Sequence, residues 1–250
     1  LEGSMTNADI VLIKVRLVEK GLPENELLTD AFEWGLAGVY YYDSPEVPQD
    51  YGKALKFFLK AAQQGHVLAM VMAGFMYANG MGTPVDHVAA AKWYLAAAEQ
   101  NNPSAQFNLA EMYRIGRGVP QDYTKAEYWY AKAVEQDHMA ARRNLGIMYV
   151  VGEGVEMDVE KALSLFSEGV AKKDALCQFY MGMTYVLEDT PVHDQIKGYV
   201  WRQTAMQNPD LPDREQTKVK EILVQLEKEM SSQELIKAGI ELQKNGLSIN

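Results

Sequence analysis

Apolar residues along this chain fall into two helical stripes, and the stripes themselves recur every 36 residues. Asp50, Asp86, Asp122, Asp158 and Asp194 mark the period. Ala54, Ala90, Ala126 and Ala162 follow the first four, and then comes a bulky pair: Phe57-Phe58, Trp93-Tyr94, Trp129-Tyr130 and Leu165-Phe166. Ala61, Ala97 and Ala133 sit one turn later. Offsets of 4, 7, 8, 11 and 12 from the Asp share one face of a helix, the pattern of a half-buried element. A second stripe runs through Ala69, Ala105, Ala141 and Cys177, then Gly74, Ala110, Gly146 and Gly182, then Tyr77, Tyr113, Tyr149 and Tyr185. Short breaks such as Gln64-Gly65-His66 and Gln100-Asn101-Asn102-Pro103 separate the stripes and turn one helix back on the next.

Each unit therefore reads as a helical hairpin. No single hairpin can bury both stripes, so the core must be built between neighbours, as in a stacked array. The recurring Asp is placed to cap the first helix of each unit, accepting from exposed N–H groups at the positive end of the helix dipole. Gly80-Met81-Gly82, Gly116-Arg117-Gly118 and Gly152-Glu153-Gly154 close the second helix with left-handed geometry. These loops lack the preceding strand and the Lys of a phosphate cradle. Trp93 and Trp129 are expected between units, where losing a fully buried ring costs about 3–5 kcal/mol.

Runs such as Gly116-Arg117-Gly118-Val119-Pro120-Gln121-Asp122, and Ala126 followed by Trp129-Tyr130 and Ala133, resemble the Sel1-like repeat family, relatives of the tetratricopeptide repeat. The resemblance covers roughly residues 31–207 and is strongest from Asp50 to Met157. In the unit from Asp158, Glu188 and Thr190 replace the loop glycines. The resemblance implies an all-α fold, an α-α superhelix in which antiparallel helix pairs form a right-handed solenoid.

The expected organisation is one elongated domain. Residues 1–4 read as a tag remnant, 5–49 as N-terminal capping helices with a degenerate half repeat, and 50–193 as four repeats (50–85, 86–121, 122–157, 158–193). Residues 194–250 read as a degenerate repeat and C-terminal capping helices, with helices over 213–230 and 232–244. Residues 6–20 read as the first helix, although their β-branched content leaves a strand open.

Charge narrows the partners. A net charge of −10 disfavours nucleic acid and anionic membrane, because both demand clustered Lys and Arg. Apolar runs fall far short of the ~20 residues needed to cross a bilayer. A lone cysteine, Cys177, excludes an intramolecular disulfide and a thiolate zinc cluster, and suits a packed small-residue position better than a nucleophile. No cofactor or metal is expected. Cytoplasmic residence is expected, or periplasmic residence if a signal peptide once preceded Met5.

Neither the Asp series nor His66, His87, His138 and His193 offers a converging acid–base or metal-ligand set, so a binding role is expected in place of catalysis. In the tetratricopeptide-like superhelix the first helix of each unit lines the concave face. That places Tyr51, Leu55, Leu59, His87, Ala91, Leu95, Tyr123, Glu127 and Ala131 along the groove, where a partner protein or peptide would dock. Packing between repeats is an equal account of the same strip. Lys53, Lys56, Lys60, Lys92, Lys125 and Lys132 on the opposite flank read as a solvated face. The expected function is a protein–protein adaptor, monomeric or weakly self-associating. Some cysteine-paired Sel1-like relatives are linked to β-lactam binding or hydrolysis, so a cell-wall or β-lactam-related hydrolase is the alternative; the paired cysteines are missing here.

Overall fold

The computed structural model describes residues 6–188 and 190–244, and the tag reading for residues 1–4 lies outside them. Among the described residues every regular element is a helix. The chain divides into two compact units, residues 1–132 and 133–250. The first carries α1 (Asn7–Glu19), α2 (Glu24–Leu27), α3 (Ala31–Tyr42), α4 (Tyr51–Gln63), α5 (Val67–Asn79), α6 (His87–Glu99), α7 (Pro103–Ile115) and most of α8 (Tyr123–Val134). The second carries α9 (Met139–Val151), α10 (Val159–Ala171), α11 (Ala175–Thr184), α12 (Gln195–Met206), α13 (Asp213–Glu229) and α14 (Ser232–Lys244). Residues 6–20, left open between helix and strand by their composition, are helical, and Thr6 and Asp9 form a reciprocal capping box at their start.

All five periodic aspartates cap helices. Asp50, Asp86, Asp122, Asp158 and Asp194 each accept from the backbone N–H three residues on, at 2.8–3.0 Å. Their own N–H groups donate to the carbonyls of Tyr41, Tyr77, Tyr113, Tyr149 and Tyr185 at 2.7–2.9 Å. One residue per period thus starts a helix and ties the incoming loop to the helix before it. Gly80, Gly116 and Gly152 are the left-handed C-caps. The second glycine of each loop has a further reason. A Cβ on Gly82 or Gly118 would collide with the backbone of Tyr51 or His87, because the loop lies against the N-terminus of α4 or α6.

The second helices are capped by a less obvious series. His66 and His138 accept through Nδ1 from Ala69 and Ala141 at 3.1 and 3.2 Å, and Asn102 and Asp174 do the same with their carbonyl and carboxylate oxygens. Two histidines without metal partners in the sequence therefore have a structural task.

Packing between hairpins turns on offset 8. Phe58, Tyr94, Tyr130 and Phe166 are all at most 4% exposed. A Cβ on Gly38 would stand 2.7 Å from the Phe58 ring, one on Gly74 2.8 Å from Tyr94, and one on Gly146 2.5 Å from Phe166. The ring lies directly on the α-carbon of the preceding hairpin's second helix. Trp93 and Trp129, expected in that role, are only half-buried at the rim of the core. Offsets 7 and 8 are consecutive in sequence and about 100° apart around the helix, and only the second points at the glycine.

The core follows these contacts: a buried cluster from Val11 to Met112 in the first unit, and in the second another that joins α11 and α12 to Val219, Leu223 and Leu226 of α13 and Leu242 of α14. Among the described residues no helix is long and apolar enough to cross a membrane.

Two predictions follow from this packing. Tyr94→Ala should lower the unfolding free energy by about 3–5 kcal/mol and Trp93→Ala by about 1–2 kcal/mol, read by chemical denaturation; equal losses would contradict the placement. His138 is half-buried, and burial, with Arg143 acting in the same direction, holds its pKa below the usual 6.5. Its neutral form is favoured by folding, so the stability it contributes is fully present above the unfolded value of 6.5 and is lost as pH falls from there through the lowered folded value. Replacing His138 with Asn, the cap used at Asn102, should flatten the loss of stability as pH falls below about 6.5, read by chemical denaturation across that range.

Candidate binding surface

The nine residues of the expected groove lie on α4, α6 and α8, all within the first unit. They differ in what they leave free. Leu55 and Ala91 are 6% and 4% exposed and belong to the core. Tyr51, Leu59 and Leu95 are half-buried and pack against it, with the Tyr51 ring 5.5 Å from that of Tyr42. His87, Glu127 and Ala131 are also half-buried, and the His87 Nδ1 is buried without a hydrogen-bond partner. The Tyr123 hydroxyl accepts from Gln121 at 2.9 Å. Much of the strip is thus committed to packing, and none of the nine residues is fully exposed; Tyr51, His87 and Tyr123 are its half-buried ring-bearing members.

The lysine flank is not simply solvated. Lys53 pairs with Glu19 at 2.7 Å, and Lys56 and Lys60 converge on Glu24 at 2.8 Å. Lys60 also lies 4.0 Å from the centre of the Trp34 ring. Hydrogen bonds from Lys53 and Tyr41 hold the Glu19 carboxyl below the usual carboxylate range. These contacts seat the N-terminal segment on α4 and cover Phe57, which stacks on Trp34 and Tyr41 at 5.5 and 5.3 Å. Further along, Lys125 pairs with Asp122 at 3.1 Å at the start of its own helix and lies 5.2 Å from the centre of the Tyr113 ring on α7.

An apolar open surface lies elsewhere, between α3 and α5. Phe32 and Val39 on α3 and Leu68 and Phe75 on α5 are 52%, 45%, 63% and 39% exposed. Phe32, Val39 and Leu68 flank a groove of about 200 Å³ whose walls also include Leu36 and Met72, over Phe58. Helix α5 carries no charged residue at all. A signal was present in the sequence: Leu68, Met72 and Phe75 correspond, one period on, to Ser104, Asn108 and Glu111. The second unit has a larger and more polar cleft of about 610 Å³, lined by Lys173, Gln178, Trp201, Thr204 and Asn208 among others.

Comparison with protein families matches the Sel1 repeat to residues 31–66, 67–102, 103–138 and 140–174, more than half of the chain. The chain belongs to the Sel1 repeat family. In this phase each repeat runs from the second helix of one hairpin through the first helix of the next. Among solved structures, the Sel1 repeat protein from Oxalobacter formigenes is 26% identical, with a TM-score of 0.65 over 85% of this chain and 94% of that one. The protective antigen c5321 of uropathogenic Escherichia coli, which displays an SLR fold, is 22% identical, with a TM-score of 0.66 over 97% of this chain and 62% of that one. A comparison with curated protein sequences finds no match.

Within this Sel1 array the lone cysteine has the character of a core residue. Cys177 is buried at the start of α11, against the α-carbon of Gly169. Burial, with Asp174 adding to it, pushes its thiol up to about 12, which leaves essentially no thiolate at neutral pH. Among the described residues no three His, Cys, Asp or Glu side chains are grouped to hold a metal ion.

Proposed function

We propose that this Sel1-repeat chain is a non-catalytic adaptor that holds an apolar segment of a partner protein in the groove between α3 and α5. The observation that carries the reading is the concentration of Phe32, Val39, Leu68 and Phe75 in the open on two adjacent helices. Exposed apolar side chains gathered around a groove are how helix-in-groove recognition is built. An amphipathic helix presenting one large aliphatic or aromatic anchor suits a groove with Phe58 beneath it. The chain's net charge of −10 favours basic flanks on that segment. The α4, α6 and α8 strip, through Tyr51, His87 and Tyr123, is the second surface such a partner would reach.

Affinity capture from the native host, followed by mass spectrometry, tests both surfaces at once. Phe32→Ser with Leu68→Ser should abolish capture while shifting stability by about 0.5 kcal/mol or less, since both side chains stand in solvent. A partner lost instead with Tyr51→Ala and Tyr123→Ala would move the site to the strip. Retention by both variants would remove both surfaces from consideration, and absence of any specific partner would count against the adaptor reading itself.

A further inference from the structure

Offset 8 holds Phe58, Tyr94, Tyr130 and Phe166 in four successive repeats, and Arg202 in the fifth. Arg202 takes the aromatic's place physically as well. A Cβ on Gly182, at the register of Gly38, Gly74 and Gly146, would stand 2.9 Å from its Cγ. The residue is 1% exposed, the bulkiest fully buried side chain described. Among the described residues its Nε and Nη1 are buried without a hydrogen-bond partner, and Nη2 reaches the Met183 sulfur at 3.4 Å. A thioether is a weak acceptor and cannot balance a guanidinium. Other buried polar groups on α12 find partners: the Tyr199 hydroxyl donates to Glu227 at 2.9 Å and accepts from Gln203 at 3.0 Å.

The repeat register shows what is missing. In the third repeat the Tyr130 hydroxyl donates to Glu111, which sits at offset 25 of the repeat before it. The residue at that offset before Arg202 is Met183. Offset 25 is Phe75, Glu111, Ile147 and Met183 in successive repeats, so Arg202 is a stronger donor than Tyr130 yet faces a thioether where Tyr130 faces a carboxylate. A buried cation without a counter-charge is strongly unfavourable, and an aromatic ring in this slot would not carry that penalty. Burial lowers the Arg202 pKa to about 10, which still leaves it cationic at neutral pH. Met183, which contacts the side chain, and Val186, which with Arg202 Nη1 borders Gly198, are half-buried and apolar. Met183 is unbranched, so a modest rotamer change moves its sulfur off Nη2.

We propose that Arg202 anchors an oxyanion-binding site, for a carboxylate or phosphate group, that Met183 covers. The planar fork of the guanidinium matches either group with two parallel hydrogen bonds. The proposal is independent of the α3–α5 groove, which lies in the other unit.

Thermal unfolding of the full chain tests it, with inorganic phosphate, acetate and N-acetylglutamate amide as probes and chloride at matched ionic strength as the reference. Wild type should show a saturable rise in Tm above the chloride reference with at least one oxyanion. Phosphate alone acting would indicate a phosphate ligand; acetate and the glutamate derivative acting would indicate a carboxylate. Arg202→Tyr, which restores the repeat's aromatic, should abolish the response. Met183→Glu supplies the internal carboxylate that Glu111 gives Tyr130, so it should raise the ligand-free Tm and also abolish the response. If Arg202→Tyr does not fold, Met183→Glu decides alone. No oxyanion-specific shift in wild type, or a response that survives either substitution, overturns the proposal.

Discussion

The contact between a ring at offset 8 and the bare α-carbon of a glycine in the preceding hairpin sets the spacing of this fold. With Phe58 on Gly38, Tyr94 on Gly74 and Phe166 on Gly146, a side-chain methyl at any of the glycines would enter the ring's volume. The helices therefore approach as closely as a backbone and an aromatic face allow. Small residues elsewhere on the stripes, Ala54, Ala61, Ala90 and Ala97, are 0% exposed and keep the approach uniform. Each ring belongs to one hairpin and its seat to another, so neither is buried until both hairpins are present. Stability then resides in the interfaces between neighbours more than in any hairpin.

An array of this kind has to resolve what its ends leave open. At the N-terminal side Phe57 is enclosed by Trp34, Tyr41 and the ion pairs from Lys53, Lys56 and Lys60 to Glu19 and Glu24. These pairs are partly exposed, so each contributes modestly, but they converge on one helix and share an aromatic floor. At the other side the register loosens as α12 turns to pack on α13 and α14, whose Val219, Leu223 and Leu242 complete the core. The α3–α5 face differs from both ends: its apolar residues are left in solvent although the counterparts of Leu68 and Phe75 one period later, Ser104 and Glu111, are polar.

The period, the hairpins and the Asp caps were legible in the sequence because each depends on local chemistry repeated at fixed spacing. Helix α14 lies over residues 232–244, as its amphipathic pattern implied. The tryptophans were misplaced for a geometric reason. Offsets 7 and 8 are about 100° apart on one helix, and both carry rings in the second and third repeats. Which one meets the preceding hairpin depends on the crossing of two helices, and periodicity does not encode that. Leu55 and Ala91 were placed on an open flank by the same wheel, yet the width of the buried stripe reaches them. The capping role of His66 and His138 was readable: Asn102 and Asp174 at the same offset are ordinary N-cap residues, and a neutral imidazole Nδ1 accepts in the same way.

Repetition turns departures into evidence. When four repeats solve one packing problem with an aromatic ring, the fifth repeat's arginine is a substitution with known alternatives, all of them compatible with the slot. An aromatic at position 202 would satisfy the seat on Gly182 without a buried charge. The same reasoning applies to Leu68 and Phe75, for which Ser104 and Glu111 show that polar residues are tolerated at the corresponding positions. In both places the local choice runs against what solubility or stability favours, and sites of that kind are where a folded chain gives up stability for recognition. The two differ in character: the α3–α5 face exposes apolar surface that a partner would cover, whereas Arg202 hides a charge that a ligand would have to reach.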